Sequence, residues 1–178
     1  LHPVAHSFPT RRSSDLSNVS GDMLGDVGQE MLADYAKAGG GILLLSGDRT
    51  YGQADFRNPN FVDLLPATFK KGGDYGRLPD PSPLTAAGKH PVLRGLKLSA
   101  KAVVLYAHDV LPTADAVTLL TYADGRPAVL ASPEGKVRVA LVTALPFGNA
   151  PAGRELYFRA PPWHQFLANL IRWIDRKP

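Results

Sequence analysis

Cysteine is missing from all 178 residues, which excludes disulfides, thiolate metal sites and a cysteine nucleophile. Long apolar runs are missing too. No segment approaches the roughly 18 consecutive apolar residues that span a bilayer, so no transmembrane segment is expected. Positive charge is scattered: the net charge is +4, and Lys70-Lys71 and Arg176-Lys177 are the basic pairs beyond Arg11-Arg12. Without a basic stripe interleaved with aromatics, nucleic acid is not an expected partner. The run Gly39-Gly40-Gly41 follows a helical pattern instead of a strand and fits neither G-x-G-x-x-G nor the P-loop spacing. A nucleotide fingerprint is therefore lacking, and no cofactor is expected. Nor do His, Asp and Glu crowd together as a metal site requires; His108-Asp109 with Asp115 comes nearest. What remains, 44% hydrophobic and 20% charged residues, suits one globular domain with a sizeable core.

The first residues stand apart. His6 to Leu16 reads HSFPTRRSSDL, which matches the translation of a common short-read sequencing adapter. Residues 1–16 are set aside as a non-native leader, leaving His90, His108 and His164 as the histidines of interest. The domain is expected over 17–178, beginning abruptly near Ser17, as an N-terminally truncated fragment of a larger protein whose earlier strands are missing.

The segment Tyr35 to Gly52, YAKAGGGILLLSGDRTYG, is the most informative. Leu24, Val27, Met31, Leu32 and Tyr35 recur at helical spacing, predicting an amphipathic helix that ends at the glycine run. Ile42 to Leu45 is a continuous apolar run, as in a parallel strand covered on both faces. Gly47 to Pro91, rich in Gly, Pro, Asp and Asn, reads as a long loop excursion with a short helical patch at Phe61 to Leu65. His90 to Leu96 suggests one further helical turn, and Val103 to Tyr106 a short strand. A meander follows over Ala116 to Tyr122, Pro127 to Ser132 and Lys136 to Thr143, joined by Asp-Gly and Glu-Gly turns. Trp163, Phe166, Leu167, Leu170, Ile171 and Ile174 predict a terminal amphipathic helix, with Pro161-Pro162 ahead of it and Arg172, Arg176 and Lys177 at its end.

Taken in order, these pieces resemble the class I glutamine amidotransferase-like domain. The residues that carry the resemblance are the helix-GGG-ILLLSG unit, Leu64-Leu65-Pro66, Leu84-Thr85, Gly88-Lys89-His90-Pro91-Val92-Leu93, Asp124-Gly125-Arg126-Pro127 and the terminal Trp-His-Gln-Phe helix. It covers roughly Ser17 to Asp175. Such domains occur in large bacterial proteins that often carry von Willebrand factor A-type and membrane-spanning segments, implying a membrane-associated or envelope parent protein whose other domains are partners. The implied fold is α/β: a three-layer flavodoxin-like sandwich with a mostly parallel sheet plus an antiparallel meander.

Active members of that family carry a cysteine on a strand-to-helix elbow and a His-x-Glu pair after a later strand. Here the elbow region holds Ser46, Gly47 and Asp48, and the strand ending at Thr143 is followed by Ala144-Leu145-Pro146-Phe147-Gly148-Asn149. The nucleophile and the pair are both missing, so the resemblance implies a non-catalytic module. The loop after Leu45 is the expected contact for a ligand or partner, through Gly47, Asp48, Arg49 and Tyr51; Arg49 suits a carboxylate or phosphate. Asp48 and Arg49 could instead only satisfy each other. The competing reading is a hydrolase with Ser46 as nucleophile, His108 as base and Asp109 as orienter, since serine needs a hydrogen-bonded base. A purely structural domain is the third. His164 and His90 read as packing or capping residues, and Trp163 and Trp173 as core.

Overall fold

A computed structural model describes residues 13–135 and 137–175, and of residues 13–15 the backbone. The leader up to Arg12, Lys136 at the head of the last meander strand, and Arg176-Lys177 lie outside the described residues. The chain opens with strand β1 (Ser13–Ser17), which crosses the expected boundary at residue 16, followed by helix α1 (Gly21–Lys37) and strand β2 (Gly41–Leu45). Ser20 caps α1 by accepting the Met23 N–H at 3.3 Å, which satisfies one of the free donors of a helix start. Gly39 adopts φ 99°, the left-handed conformation that ends the helix and turns the chain into β2.

The expected loop excursion is structured. It contains helix α2 (Pro59–Val62) and strands β3 (Ala67–Phe69), β4 (Tyr75–Pro83) and β5 (Thr85–Ala86). A 3-10 turn at Pro91–Leu93 leads to β6 (Ala102–His108) and β7 (Val110–Pro112). The meander strands β8 (Val117–Thr121), β9 (Pro127–Ala131) and β10 (Val139–Val142) follow. Two short strands, β11 (Ala144–Leu145) and β12 (Glu155–Leu156), precede the terminal helix α3 (Pro161–Ile174).

The main sheet has six strands in the order β1-β2-β10-β9-β8-β5; β6 is flanked by β11 and β12 and also pairs with β4, and β3 pairs with β7. These relations overturn the expected flavodoxin-like sandwich. Only β1–β2, β2–β10 and β6–β12 are parallel, whereas the other six pairings are antiparallel. Twelve strands accompany three α-helices among the described residues. The reason lies in the connections. Parallel neighbours in sequence need a crossover of a dozen residues or more, usually a helix, whereas short turns return the chain antiparallel. Among the described residues α1 alone makes such a helical crossover between neighbouring strands of a sheet, and α3 comes after the last described strand.

Both faces of the central strands are nevertheless buried. Ile42 and Leu44 of β2, with Val139 and Leu141 of β10, pack with Ala33 and Ala36 of α1 and with Phe61 and Leu65. The alternate residues Leu43, Ala140 and Val142 pack with Trp163, Phe166, Leu170 and Ile174 of α3. That division follows from the two-residue period of a strand, and explains why these segments read as unbroken apolar runs.

The expected apolar face of α1 is also corrected. Its fully buried residues are Gly21, Gln29, Ala33 and Ala36; Leu32 packs half-buried against the same core, Leu24 and Tyr35 are half-buried, and Val27 and Met31 are exposed. Gly25 at φ 63°, ψ 173° breaks the helical repeat, and small residues let the helix lie close to the sheet.

Candidate functional site

The loop leaving β2 is built from the inside outward. Ser46, at the strand end, donates its hydroxyl to the Ala144 carbonyl oxygen, and the Tyr157 hydroxyl donates to the same oxygen at 2.7 Å. The Tyr51 hydroxyl lies 2.6 Å from the Val142 carbonyl and 3.0 Å from that of Leu44. Tyr122 donates at 2.8 Å to Thr143 Oγ1, which donates onward to the Pro127 carbonyl at 2.9 Å. Buried hydroxyls thus stopper the carboxyl ends of β2 and β10, where open parallel sheets otherwise receive ligands. Burial pushes the phenols of Tyr51, Tyr122 and Tyr157 well up from their ordinary value. Tyr51 holds φ 55°, a conformation that costs a bulky residue on the order of 1–3 kcal/mol and is kept by these bonds.

Beneath the loop sits His108, at the end of β6. Its Nε2 is 2.9 Å from the Gly47 carbonyl oxygen and 3.3 Å from Thr50 Oγ1. Thr50 Oγ1 itself accepts the Gly47 N–H at 2.9 Å and donates to the Gly47 carbonyl at 2.8 Å. Because a carbonyl only accepts, Nε2 carries a hydrogen. The other ring nitrogen, Nδ1, faces Asp74 Oδ2 at 3.3 Å, and Oδ2 accepts the Gly52 N–H at 2.7 Å. Nδ1 and Oδ2 meet at ion-pair distance without an aligned hydrogen bond, and Asp74 Oδ1 has no hydrogen-bond partner among the described residues.

The serine hydrolase constellation is not assembled. Ser46 is bonded to Ala144 and His108 to Gly47 and Thr50, and no hydrogen bond joins Ser46 to an imidazole among the described residues. Asp109 is exposed, 3.9 Å from Arg126, and the carboxylate facing His108 belongs to Asp74. Sequence reasoning missed Asp74 because it lies in the Gly- and Lys-rich stretch before β4, with no spacing that ties it to β6.

Of the four loop residues expected to contact a ligand, Gly47 and Tyr51 are buried and Asp48 and Arg49 are exposed. A Cβ at Gly47 would come within 2.3 Å of Asn18 Oδ1, and that same oxygen accepts the Arg49 N–H at 2.8 Å. The loop tip is thereby anchored to the turn after β1. Asp48 and Arg49 do not satisfy each other: neither forms an ion pair or side-chain hydrogen bond with a described residue. His164 bonds the Phe158 carbonyl at 2.9 Å, and His90 Nδ1 accepts the Val92 N–H at 3.3 Å. Both act as local structural ties. No group of three or more His, Cys, Asp or Glu that could hold a metal is found among the described residues. An open recess of about 590 Å³ lies at the opposite end of the sheet, between the end of α1, Leu64 to Pro66 and Ser132-Pro133, far from these groups.

No protein-family model and no curated protein matches the sequence. Solved structures do resemble it. A cytoplasmic protein of Salmonella typhimurium aligns with TM-score 0.76 and 18% identity over 91% of this chain and 71% of its own. A second cytoplasmic protein of that organism gives TM-score 0.76 and 16% identity over 92% of this chain and 71% of its own. A protein described as ThuA-like, from Parabacteroides merdae, gives TM-score 0.66 and 17% identity over 92% of this chain and 70% of its own. Identities this low speak for the fold alone. Among the described residues no helix is long and apolar enough to cross a membrane.

Proposed function

We propose that this chain is a class I glutamine amidotransferase-like domain without catalytic chemistry, acting as a ligand- or partner-binding module of a larger bacterial protein. The observation that carries this reading is the engagement of the groups a hydrolase would need. Ser46 Oγ is bonded to the Ala144 carbonyl, and His108 is turned into the protein toward Gly47, Thr50 and Asp74. A serine without a base in reach is a poor nucleophile. The contact surface of the module is the anchored tip Asp48-Arg49, whose two charges are exposed and unpaired among the described residues. Arg49 offers a planar fork suited to a carboxylate or phosphate. The other ligand is a neighbouring domain presenting an acidic group to the same tip.

Glutaminase and esterase assays of the chain are expected to show no turnover. Titration with glutamate and with inorganic phosphate, followed by amide chemical shifts, is expected to perturb residues 47–50 in the native chain and not in Arg49→Ala. Robust turnover abolished by Ser46→Ala would refute the module and install the hydrolase that uses Ser46 with a histidine base.

A further inference from the structure

Acidic and basic residues are divided along this chain. Residues 17–69 hold seven Asp and Glu against three Lys and Arg, whereas residues 84–108 hold four Lys and Arg and no acid. The fold then draws the second group into a line. The segment after the 3-10 turn at Pro91–Leu93 runs antiparallel beside α3. The Asn169 amide donates to the Val92 and Arg94 carbonyls at 3.0 and 3.4 Å, and that of Gln165 to Gly95 at 3.4 Å. Leu98 and Ser99 line one small cleft with Pro162 and Trp163, at the start of the helix. The path ends beside β12, where Arg154 Nη1 donates to the Ala100 carbonyl at 2.7 Å and the Glu155 N–H to that of Lys101 at 3.0 Å.

Five cations follow this path: Arg172, whose Nη1 donates to Asn169 Oδ1 at 3.3 Å, then Arg94, Lys97, Lys101 and Arg154. All five are exposed. Helix α3 contributes no acidic residue. Among the described residues Arg94, Lys97, Lys101 and Arg154 have no ion-pair partner, and the half-buried Glu155 pairs with none of them. Unpaired like charges held side by side repel one another, and the backbone beneath these is pinned by Asn169, Gln165 and Arg154. An anionic chain laid along the row relieves that repulsion.

We propose that this row is a docking surface for an acidic polypeptide, a partner segment rich in Asp and Glu whose carboxylates meet Arg94, Lys97, Lys101 and Arg154 in turn. Other polyanions fit less well. Nucleobases need free aromatic faces, and the rings beside the row are taken: Trp173 packs against His90 and under Arg138, and Phe158 against Tyr157 and under Arg159. Phosphates are commonly held by free N–H groups of a helix start. Here α3 begins with Pro161-Pro162, which have none, and the Trp163 N–H is bonded to the Ala160 carbonyl at 3.0 Å. Interfacial membrane binding adds inserted apolar side chains to the cations, and Ile171, the exposed large apolar residue of α3, lies off the Gln165-Asn169-Arg172 line. Carboxylates need none of these: Arg offers them a planar fork and Lys a point charge. The row shares no residue with the Asp48-Arg49 tip, so it stands or falls separately from the binding reading.

Labelled poly-L-glutamate, titrated into the full chain at low and at high salt, tests it. The native chain is expected to bind at low salt, to weaken as salt screens the contact, and to show amide shifts at 94–101, 154–155 and 165–172 and not at 47–50. Arg94→Glu combined with Lys97→Glu and Lys101→Glu is expected to weaken binding by roughly tenfold or more. Lys37→Glu combined with Lys70→Glu and Arg77→Glu changes the net charge equally at exposed positions off the row, and is expected to bind as the native chain does. Should the first variant fail to unfold cooperatively, its counterpart Arg94→Gln, Lys97→Gln, Lys101→Gln and the amide map of the native chain decide. No binding, equal losses in the two triple variants, or shifts centred on 47–50 would overturn the proposal. So would tighter binding of duplex DNA or of phosphatidylglycerol vesicles through the same residues, which would identify a phosphate-bearing partner instead.

Discussion

His108 Nδ1 and Asp74 Oδ2 face each other at 3.3 Å with both side chains fully enclosed, and together they hold the loop after β2 from below. His108 reaches the Gly47 carbonyl and Asp74 the Gly52 N–H, so the pair spans the whole turn that presents Asp48 and Arg49. A charge enclosed without its partner is costly, on the order of 3–5 kcal/mol when one member of a buried pair is removed.

His108→Leu is therefore expected to lower unfolding free energy in urea by about 3–5 kcal/mol. Adding Asp74→Asn to it should recover part of the loss, because the stranded carboxylate is gone while an oxygen remains for Gly52. Strictly additive effects in that double-mutant cycle would show that the two groups are uncoupled.

Tyr51, Tyr122 and Tyr157 are buried phenols, and burial raises each pKa above its value of 10.0 in the unfolded chain. A raised folded value means stabilisation that is complete below the unfolded value and is lost as pH climbs beyond it. Stability should hold to about pH 10 and then fall steeply, with phenolate absorbance from these three appearing only on unfolding. Tyr157→Phe should make the alkaline fall shallower; an unchanged slope would contradict the burial assignment.

Glu30 behaves in the opposite sense. Hydrogen bonds from Asn60 and Asn58 hold its carboxyl below the usual value, so its contribution is present above the unfolded value of about 4.3 and is lost as pH falls through the lower folded value. Glu30→Gln should flatten that part of the acid unfolding curve, read by circular dichroism, and leave the alkaline side unaltered.

Tyr51→Phe removes the hydroxyl that faces the Leu44 and Val142 carbonyls. Burying those acceptors unpaired should cost about 1–3 kcal/mol with the fold intact. If the stopper is what closes the sheet end, the amides of Leu44 to Ser46 should exchange faster in this variant than in the native chain.

Much of the element pattern could be read from residue order. The terminal helix follows its apolar spacing, with Trp163, Phe166, Leu170 and Ile174 buried as expected while Ile171 stays partly exposed. The runs at Ile42 to Leu45 and Ala140 to Val142 are strands covered on both faces. The site was less legible. His108 was a recognisable suspect, yet its partner Asp74 lies in a stretch without periodicity, and the pairing exists only because β4 docks antiparallel on β6. Tyr51 read as a ligand contact because it neighbours Asp48 and Arg49; its positive φ turns the ring inward, and nothing local announces that.

Residue order alone settled the terminal helix, the apolar strands at Ile42 to Leu45 and Ala140 to Val142, and that no sulfur chemistry was available, because periodic burial and the identity of a side chain are local properties. Strand direction, the face α1 presents and the company His108 keeps emerged only on folding. Those features depend on connection paths and on contacts between residues far apart in the chain, and the free energy of such contacts is fixed by what each group displaces when the layers close.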